Sequence, residues 1–157
     1  MTETSTENKP RTALFAGTFN PFTAGHADIV ARSLHLFDRV VIGIGVNRAK
    51  TDGDDARSEA FRQIGELYAA EPRVEVAEYS GLTADFARQI GACALVRGVR
   101  NVRDFEYERD MADINGRIAG LDTVLLVARP ELAAVSSSIV RELRAFGVDV
   151  DGFLPEK

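Results

Sequence analysis

The sequence predicts one doubly wound α/β domain, in which five parallel strands form a sheet with helices on both faces. Two observations carry this prediction. Five short apolar runs alternate with segments whose apolar residues have helical spacing, which is the order expected of repeated strand–helix units. Most of the runs are apolar almost throughout, as is typical of strands that are buried on both faces. The length of 157 residues fits a single domain.

The predicted strands are short. In chain order they are ALFAG at 13–17, VVIGIGV at 40–46, VEVAEY at 74–79, ALVRGV at 94–99 and TVLLVA at 123–128. The third run begins with an alternation of apolar and charged residues, Val74-Glu75-Val76, which is a second pattern that indicates a strand.

Each predicted helix has an apolar stripe, which we expect to face the core. The first helix spans 25–37. The stripes of the later helices are Phe61, Ile64, Leu67 and Tyr68; Leu82, Phe86 and Ile90; Tyr107, Met111, Ile114 and Ile118; and Ile139, Val140, Leu143 and Phe146. Residues 1–11 are polar and are expected to be frayed, which leaves 12–157 as the domain. The order is Rossmann-like, and such sheets bind ligands at the carboxyl ends of their strands.

Composition restricts the possible partners and the compartment. The chain has 19 Lys and Arg against 24 Asp and Glu, a net charge of −5, which disfavours nucleic acid and anionic membranes. Small anions can still bind where positive residues converge. The single cysteine, Cys93, lies in an apolar stretch and is predicted to be buried. We see no signal peptide and no apolar run near the ~18 residues of a spanning helix, so a cytoplasmic location is expected.

The segment after the first strand reads GTFNPFTAGH, from Gly17 to His26, and leads into a helix. A strand, a tight turn and a helix N-terminus present free backbone N–H groups, which favour a bound anion. Thr18 offers a hydroxyl, and His26 in the first helical turn can donate a hydrogen bond to a phosphate. The alternative is a plain loop in which His26 caps the helix.

Basic residues follow two further strands. Arg48 and Lys50 come after the second strand and either meet an anion or lie in a solvated loop. After the fourth strand, Arg97, Arg100 and Arg103 stand three residues apart with no acid between them, and arginine can bind phosphate oxygens through two parallel hydrogen bonds. The alternative there is a structural cluster in which the arginines pair with Asp104, Glu106 and Glu108.

Three serines, Ser136, Ser137 and Ser138, precede the last predicted helix. Serine is a preferred N-cap, and that structural role accounts for part of the pattern. The same hydroxyls and N–H groups can also bind a nucleotide phosphate. Because the carboxyl ends of parallel strands lie along one edge of a sheet, we expect all four segments to meet in one site.

These segments resemble the signatures of the phosphopantetheine adenylyltransferase family, among the nucleotidylyltransferases with an (H/T)-x-G-H motif. The motif is Thr23-Ala24-Gly25-His26, a second signature appears as VSSSIVRE, and RGVRNVRDFEYE is the more specific one. The match runs from about residue 13 to residue 155 and includes FLPE. The resemblance implies that AMP is transferred from ATP to 4′-phosphopantetheine, which gives dephospho-coenzyme A and pyrophosphate in coenzyme A biosynthesis.

The resemblance also implies roles for residues. His26 would bind the ATP phosphates and stabilise the transition state, and Lys50 would hold the phosphate of 4′-phosphopantetheine, with Thr18 and Arg97 completing the catalytic set. The ATP site would comprise Thr18, Phe19, His26, Gly98, Val99, Arg100, Glu108, Leu132, Ala133, Ala134, Val135, Ser136, Ser137 and Ser138. The 4′-phosphopantetheine site would comprise Thr18, Lys50, Thr83, Arg97, Met111 and Asn115. The family uses Mg²⁺ with ATP, needs no metal-ligating side chain, and usually forms a hexamer.

The chain departs from the family pattern at three places. Asn20 stands where Asp is usual, Ala16 stands where Pro is usual, and residues 51–57 are acidic and polar where an aromatic or apolar residue is common.

Other functions share part of this pattern. A nicotinate-mononucleotide adenylyltransferase or a cytidylyltransferase for a phospho-alcohol has the same His motif, but RGVR followed by DFEYE argues against both. A non-catalytic nucleotide-binding regulator is the alternative from another class, and the presence of His26 and Lys50 argues against it.

Overall fold

The computed structural model describes residues 8–47 and 58–157. Within them, five parallel strands alternate with five α-helices. In chain order these are β1 (Thr12–Gly17), α1 (Ala24–Ser33), β2 (Arg39–Gly45), α2 (Glu59–Leu67), β3 (Val74–Tyr79), α3 (Thr83–Gln89), β4 (Ala94–Val99), α4 (Val102–Ala119), β5 (Asp122–Val127) and α5 (Ser137–Ala145). Short 3₁₀ helices occupy Pro130–Leu132 and Asp151–Phe153. The predicted α/β class and the five strands are therefore confirmed.

The strand order is β3-β2-β1-β4-β5. The chain builds outwards from β1 through β2 to β3, and then returns to place β4 on the other side of β1. At the centre, Phe15 of β1 is in register with Ile42 of β2 and with Val96 of β4. The direction of winding therefore reverses between β1 and β4, and a crevice is expected at the carboxyl ends of these two strands.

Alternation along β1 explains why residues 13–16 are all apolar. Ala13 and Phe15 belong to the core on one face of the sheet, with Val30 of α1 and Ile64 of α2. Leu14 lies in the core on the other face, which also contains Phe86 and Ala87 of α3 and Leu95 of β4. Both faces of the strand are covered, so apolar side chains are favoured at residues 13–16 on both faces.

Several predicted core positions are exposed instead. Phe146 is 79% exposed at the end of α5, and the α4 residues Tyr107, Met111, Ile114 and Ile118 are also exposed. The inner face of α4 carries Asp104, Glu108, Ala112, Asn115, Gly116 and Ala119. Half of these residues are polar because this face borders a cavity, and periodicity alone cannot distinguish a core from a cavity.

The prediction that Cys93 is buried is wrong. Cys93 is exposed in the turn before β4, between the buried Ala92 and Ala94. Its backbone N–H donates to the carbonyl of Thr12, so the main chain is held at the sheet while the side chain points away. Among the described residues, no helix is long and apolar enough to cross a membrane.

Candidate active site

Two adjoining cavities open at the carboxyl ends of β1 and β4. The larger, about 400 Å³, lies between the N-termini of α1 and α5 and the segment after β4. The smaller, about 220 Å³, lies between the ends of β1, β2 and β3 and the inner face of α4. Thr18, Arg97 and Glu108 line both cavities. A ligand in one cavity would therefore meet a ligand in the other at these side chains.

The N-terminus of α1 is closed by a reciprocal capping box between Thr23 and His26. The Thr23 hydroxyl accepts a hydrogen bond from the His26 backbone N–H at 3.3 Å. In return, His26 Nδ1 accepts from the Thr23 backbone N–H at 2.9 Å. Because Nδ1 is an acceptor, the ring proton of the neutral histidine is on Nε2, which is left to donate into the larger cavity.

The surroundings of His26 keep the ring neutral. Burial, reinforced by the positive charges of Arg97 and Arg100, lowers its pKa to about 4. Phe19 and Phe22 enclose the ring, with centroids at 5.1 and 5.3 Å from it. At physiological pH His26 is therefore a hydrogen-bond donor of fixed tautomer and not a cation.

Phe19 shapes the turn that leads to this helix. Its φ of 49° is in the left-handed region, which non-glycine residues seldom adopt. The ring is 4% exposed and makes edge contacts with Phe15 and Phe22. A Cβ on Gly17 would lie 3.0 Å from the Phe19 ring, so the close turn favours glycine there. This packing holds the strained backbone in place.

Arg97 is fixed by the inner face of α4. Its Nε and Nη2 donate to the two carboxylate oxygens of Glu108 at 2.9 and 2.8 Å, and its Nη1 donates to the carbonyl of Ala16. The Glu108 side chain is 8% exposed, which is possible because both of its oxygens are paired. The pair orients the guanidinium between the two cavities.

Arg100 pairs in the same way with Asp104, at 2.9 Å, whereas Arg103 is exposed. The Asp104 carboxyl is partly desolvated, but its hydrogen bonds and ion pair with Arg100 outweigh this and lower its pKa. Of the two interpretations of the arginine segment, the structural one is therefore confirmed for Arg97 and Arg100. Both pairs also line the larger cavity, so these arginines have a structural partner and are part of the candidate site at the same time.

The three serines before α5 make different contacts. Ser136 caps the helix by accepting from the backbone N–H of Ile139. Ser137 Oγ donates to the carbonyl of Pro21 at 2.7 Å, and Arg141 binds both the Ser138 hydroxyl and the carbonyl of Asn20. The loop after β1 is thus tied to α5, and two helix N-termini point into one cavity. Their dipoles favour an anion there.

The sequence is similar to those of known nucleotidyltransferases. A family model described as cytidylyltransferase-like matches residues 14–143. The phosphopantetheine adenylyltransferase of Porphyromonas gingivalis is 55% identical over 148 residues, which is 94% of this chain and 96% of the relative. That of Phocaeicola vulgatus is 51% identical, over 93% of this chain and 96% of the relative.

The chain belongs to the phosphopantetheine adenylyltransferase family.

A solved structure supports the fold of this family member. The Vibrio parahaemolyticus protein assigned as a nicotinate-nucleotide adenylyltransferase superposes with a TM-score of 0.60, over 93% of this chain and 94% of that one, at 16% identity. At that identity the likeness extends to the fold alone.

Most positions at which the family resemblance implies an ATP contact line the larger cavity. They are Thr18, Phe19, His26, Gly98, Val99, Arg100, Glu108, Leu132, Val135, Ser136, Ser137 and Ser138. Ala133 and Ala134 do not line it, because they lie in the turn between the Pro130–Leu132 helix and Val135.

The smaller cavity gathers the residues implied for 4′-phosphopantetheine. Thr18, Thr83, Arg97, Met111 and Asn115 all line it. Lys50, Arg48 and the 51–57 segment lie outside the described residues, as do residues 1–7.

Sequence reasoning missed several lining residues of this phosphopantetheine adenylyltransferase family member. Asp28 and Arg129 line the larger cavity and form an ion pair at 2.9 Å, although they are 101 residues apart. Arg129 directly follows Ala128 after β5, so its position at a strand end was the available signal. Tyr79 and Gly45 end β3 and β2 and line the smaller cavity, while Tyr107 lines both cavities from α4.

The depressed pKa of His26 predicts an acid-sensitive contribution to stability. The folded-state pKa of about 4 is below the ordinary 6.5, so the unfolded chain binds more protons between these values. The contribution of the neutral His26 to the free energy of unfolding is therefore fully present above pH 6.5 and is lost as the pH falls towards 4. Asparagine does not titrate in this range. Between pH 7 and pH 5 the free energy of unfolding of His26→Asn should therefore rise relative to that of wild type by about 1–2 kcal/mol.

Urea unfolding of both proteins across this pH range measures the effect. Asn can keep an acceptor at the position of Nδ1, so the helix cap is retained in the variant. A stability difference that does not change with pH would contradict the assignment of a neutral, buried His26.

Proposed function

We propose that this chain transfers the adenylyl group of ATP to 4′-phosphopantetheine, giving dephospho-coenzyme A and pyrophosphate. The observation that carries the proposal is the sharing of Thr18 and Arg97 by two adjoining cavities at the switch point of the sheet. Two substrates bound in these cavities would bring their reacting phosphates together at those side chains. The names of the relatives support this choice of substrates.

The lining of the larger cavity favours one orientation for a bound ATP. Its phosphates would lie against the N-termini of α1 and α5, where backbone N–H groups and hydroxyls are available. The base would lie towards the apolar side chains of Ile29, Val99, Leu132 and Val135, which line the same cavity. The smaller cavity suits the long acceptor, since Leu14, Leu95 and Met111 offer apolar contacts and Asn115 offers an amide.

The reaction needs positioning more than proton transfer. A phosphate oxygen of 4′-phosphopantetheine forms a bond to the α-phosphorus of ATP, and the bond from that phosphorus to the α,β-bridging oxygen breaks. Pyrophosphate leaves with the electron pair. The nucleophile is already anionic, so no general base is required. Catalysis then depends on alignment and on stabilising charge at the α-phosphate.

Each proposed role follows from a local contact. His26 donates from Nε2 to the phosphates while Nδ1 remains tied to Thr23. Arg97, held by Glu108 and by the Ala16 carbonyl, faces the junction of the cavities as a positioned cation. Thr18 supplies a hydroxyl at the same junction. Lys50 would bind the acceptor phosphate, a role supported by the family resemblance.

Mg²⁺ would enter with ATP. The described residues contain no group of three or more His, Cys, Asp or Glu side chains that could hold a metal ion. Asp28, Asp104 and Glu108 line the larger cavity, and each is paired with arginine. This donor set fits an ion held mainly by phosphates and water, as Mg²⁺ commonly is at nucleotide sites. The ion would then neutralise phosphate charge.

Pyrophosphate release tests the proposed reaction. ATP with 4′-phosphopantetheine should release pyrophosphate and form dephospho-coenzyme A, whereas ATP with nicotinate mononucleotide should not. Release with nicotinate mononucleotide alone would overturn the choice of substrate. ATP binding without release from either acceptor would favour a non-catalytic nucleotide-binding regulator.

Substitution of His26 should separate catalysis from binding. His26→Asn keeps the cap but loses the Nε2 donor, so we expect kcat to fall by about 10²–10³, as for loss of one transition-state hydrogen bond. The Kd of ATP should change only a few-fold. His26→Gln places an amide near Nε2 and should recover part of kcat. Initial rates and calorimetric titration with ATP measure the two quantities, and equal losses in both would contradict the assigned role.

Self-association is the remaining part of the proposal. Ile114 and Ile118, the residues of the α4 stripe that line neither cavity, are exposed on an 18-residue helix, and contact with further copies would bury them. A hexamer is supported by the family resemblance, and the cytoplasmic location stays a prediction. Sedimentation should find an oligomer at micromolar concentration that Ile114→Lys shifts towards monomer. A wild-type monomer would contradict the proposal.

A further inference from the structure

A pair of hydroxyl groups stands in the wall of the smaller cavity. Tyr79 ends β3 and Thr83 begins α3, and their oxygens are 2.8 Å apart. Both residues line the cavity, together with Arg97, Met111 and Asn115. The turn between them contains Gly81 with a φ of 86°. In this wall the pair lies among apolar side chains such as Leu14, Leu95 and Ala112 and polar ones such as Arg97 and Asn115.

The Tyr79 ring has little freedom to move. It stacks on the Phe86 ring, with the centroids 4.5 Å apart and the planes at 2°. On the sheet side it lies over two glycines of β2: a Cβ on Gly43 would be 3.2 Å from the ring, and one on Gly45 would be 3.6 Å from the phenol oxygen. Stacking on one element and close approach to another fix the position of the hydroxyl.

The Thr83 hydroxyl is not used to cap its own helix. The N-cap of α3 is Leu82, which makes no side-chain capping hydrogen bond. Two hydroxyls that bind each other use one of their two hydrogens, so the pair retains a donor hydrogen and acceptor lone pairs. A ligand with an amide can use either capacity. The neighbouring Asn115 offers the same kind of uncharged polar partner.

We propose that Tyr79 is a positioning residue that holds the Thr83 hydroxyl as a hydrogen-bonding partner for the amide groups of the acceptor's pantetheine arm. The proposal rests on the proposed function, because it takes 4′-phosphopantetheine as the ligand of the smaller cavity. Tyr79 thereby sets the affinity for the acceptor. It has no part in ATP binding, since it does not line the larger cavity.

Tyr79→Phe tests the role because it removes the hydroxyl and keeps the stacked ring. The KM for 4′-phosphopantetheine should rise about three- to tenfold, as for one lost hydrogen bond. The kcat and the KM for ATP should stay within twofold of wild type. A Tm lowered with all three kinetic constants unchanged would show that the pair merely braces the β3–α3 turn, and would overturn the proposal.

Thr83→Val tests whether Tyr79 acts through Thr83. The single variant should raise the acceptor KM at least as much as Tyr79→Phe does. Adding Tyr79→Phe to Thr83→Val should then change the KM by less than twofold. If Tyr79→Phe has the same effect in both backgrounds, Tyr79 acts independently of Thr83 and the proposal is wrong.

Tyr68→Phe is the matched control. Tyr68 lies at the end of α2, away from the lining of both cavities, and its loss of a phenol hydroxyl should leave the acceptor KM unchanged. A rise equal to that of Tyr79→Phe would mean a general effect and would count against the proposal. Failure of the proposed function can be told apart from failure of the proposal for Tyr79. If the proposed function is wrong, the wild-type protein releases no pyrophosphate from ATP and 4′-phosphopantetheine.

Discussion

The pairing of β1 with β2 on one side and with β4 on the other is the constraint on which the rest of the structure depends. This arrangement covers both faces of β1 and both of its edges, so residues 12–16 are buried, and four of these five are apolar. It also makes the connections after β1 and β4 leave the sheet in different directions. The crevice between them is where α1 begins and where Arg97 emerges from the sheet.

The arginines of the site are paired with carboxylates in the fold, although no acid lies among them in the sequence. Arg97 and Arg100 lie in a run without acids, yet each is paired with a carboxylate from α4, one or more helical turns further on. The pairs orient the guanidinium groups and offset their charge. His26 is neutral because its ring is buried and because a positive charge on it would lie near these two arginines; both effects lower its pKa. The dipoles of the two helix N-termini therefore add to the positive potential of the larger cavity.

Structural and functional interpretations of a residue are not exclusive here. His26 caps α1 through Nδ1, and that contact leaves the proton on Nε2 for a ligand. Ser136 caps α5, while Ser137 ties the same helix to the loop after β1. In each case the contact that stabilises the helix also sets the direction of a donor or the position of a loop. One geometry can therefore both cap a helix and direct a donor into the larger cavity.

Local sequence determined the elements of this protein. The strands 74–79 and 94–99 agree with the structure at both ends, because side-chain alternation and apolar runs depend on near neighbours. The segments after the strands contain most of the site, because the carboxyl ends of parallel strands lie along one edge of the sheet. Tertiary structure alone decided which face of α4 borders a cavity, that Cys93 is exposed, and that Asp28 meets Arg129. It also brought Tyr79 to the wall of the smaller cavity. These outcomes follow from the strand order, which places distant segments side by side and is set by the packing of the whole sheet.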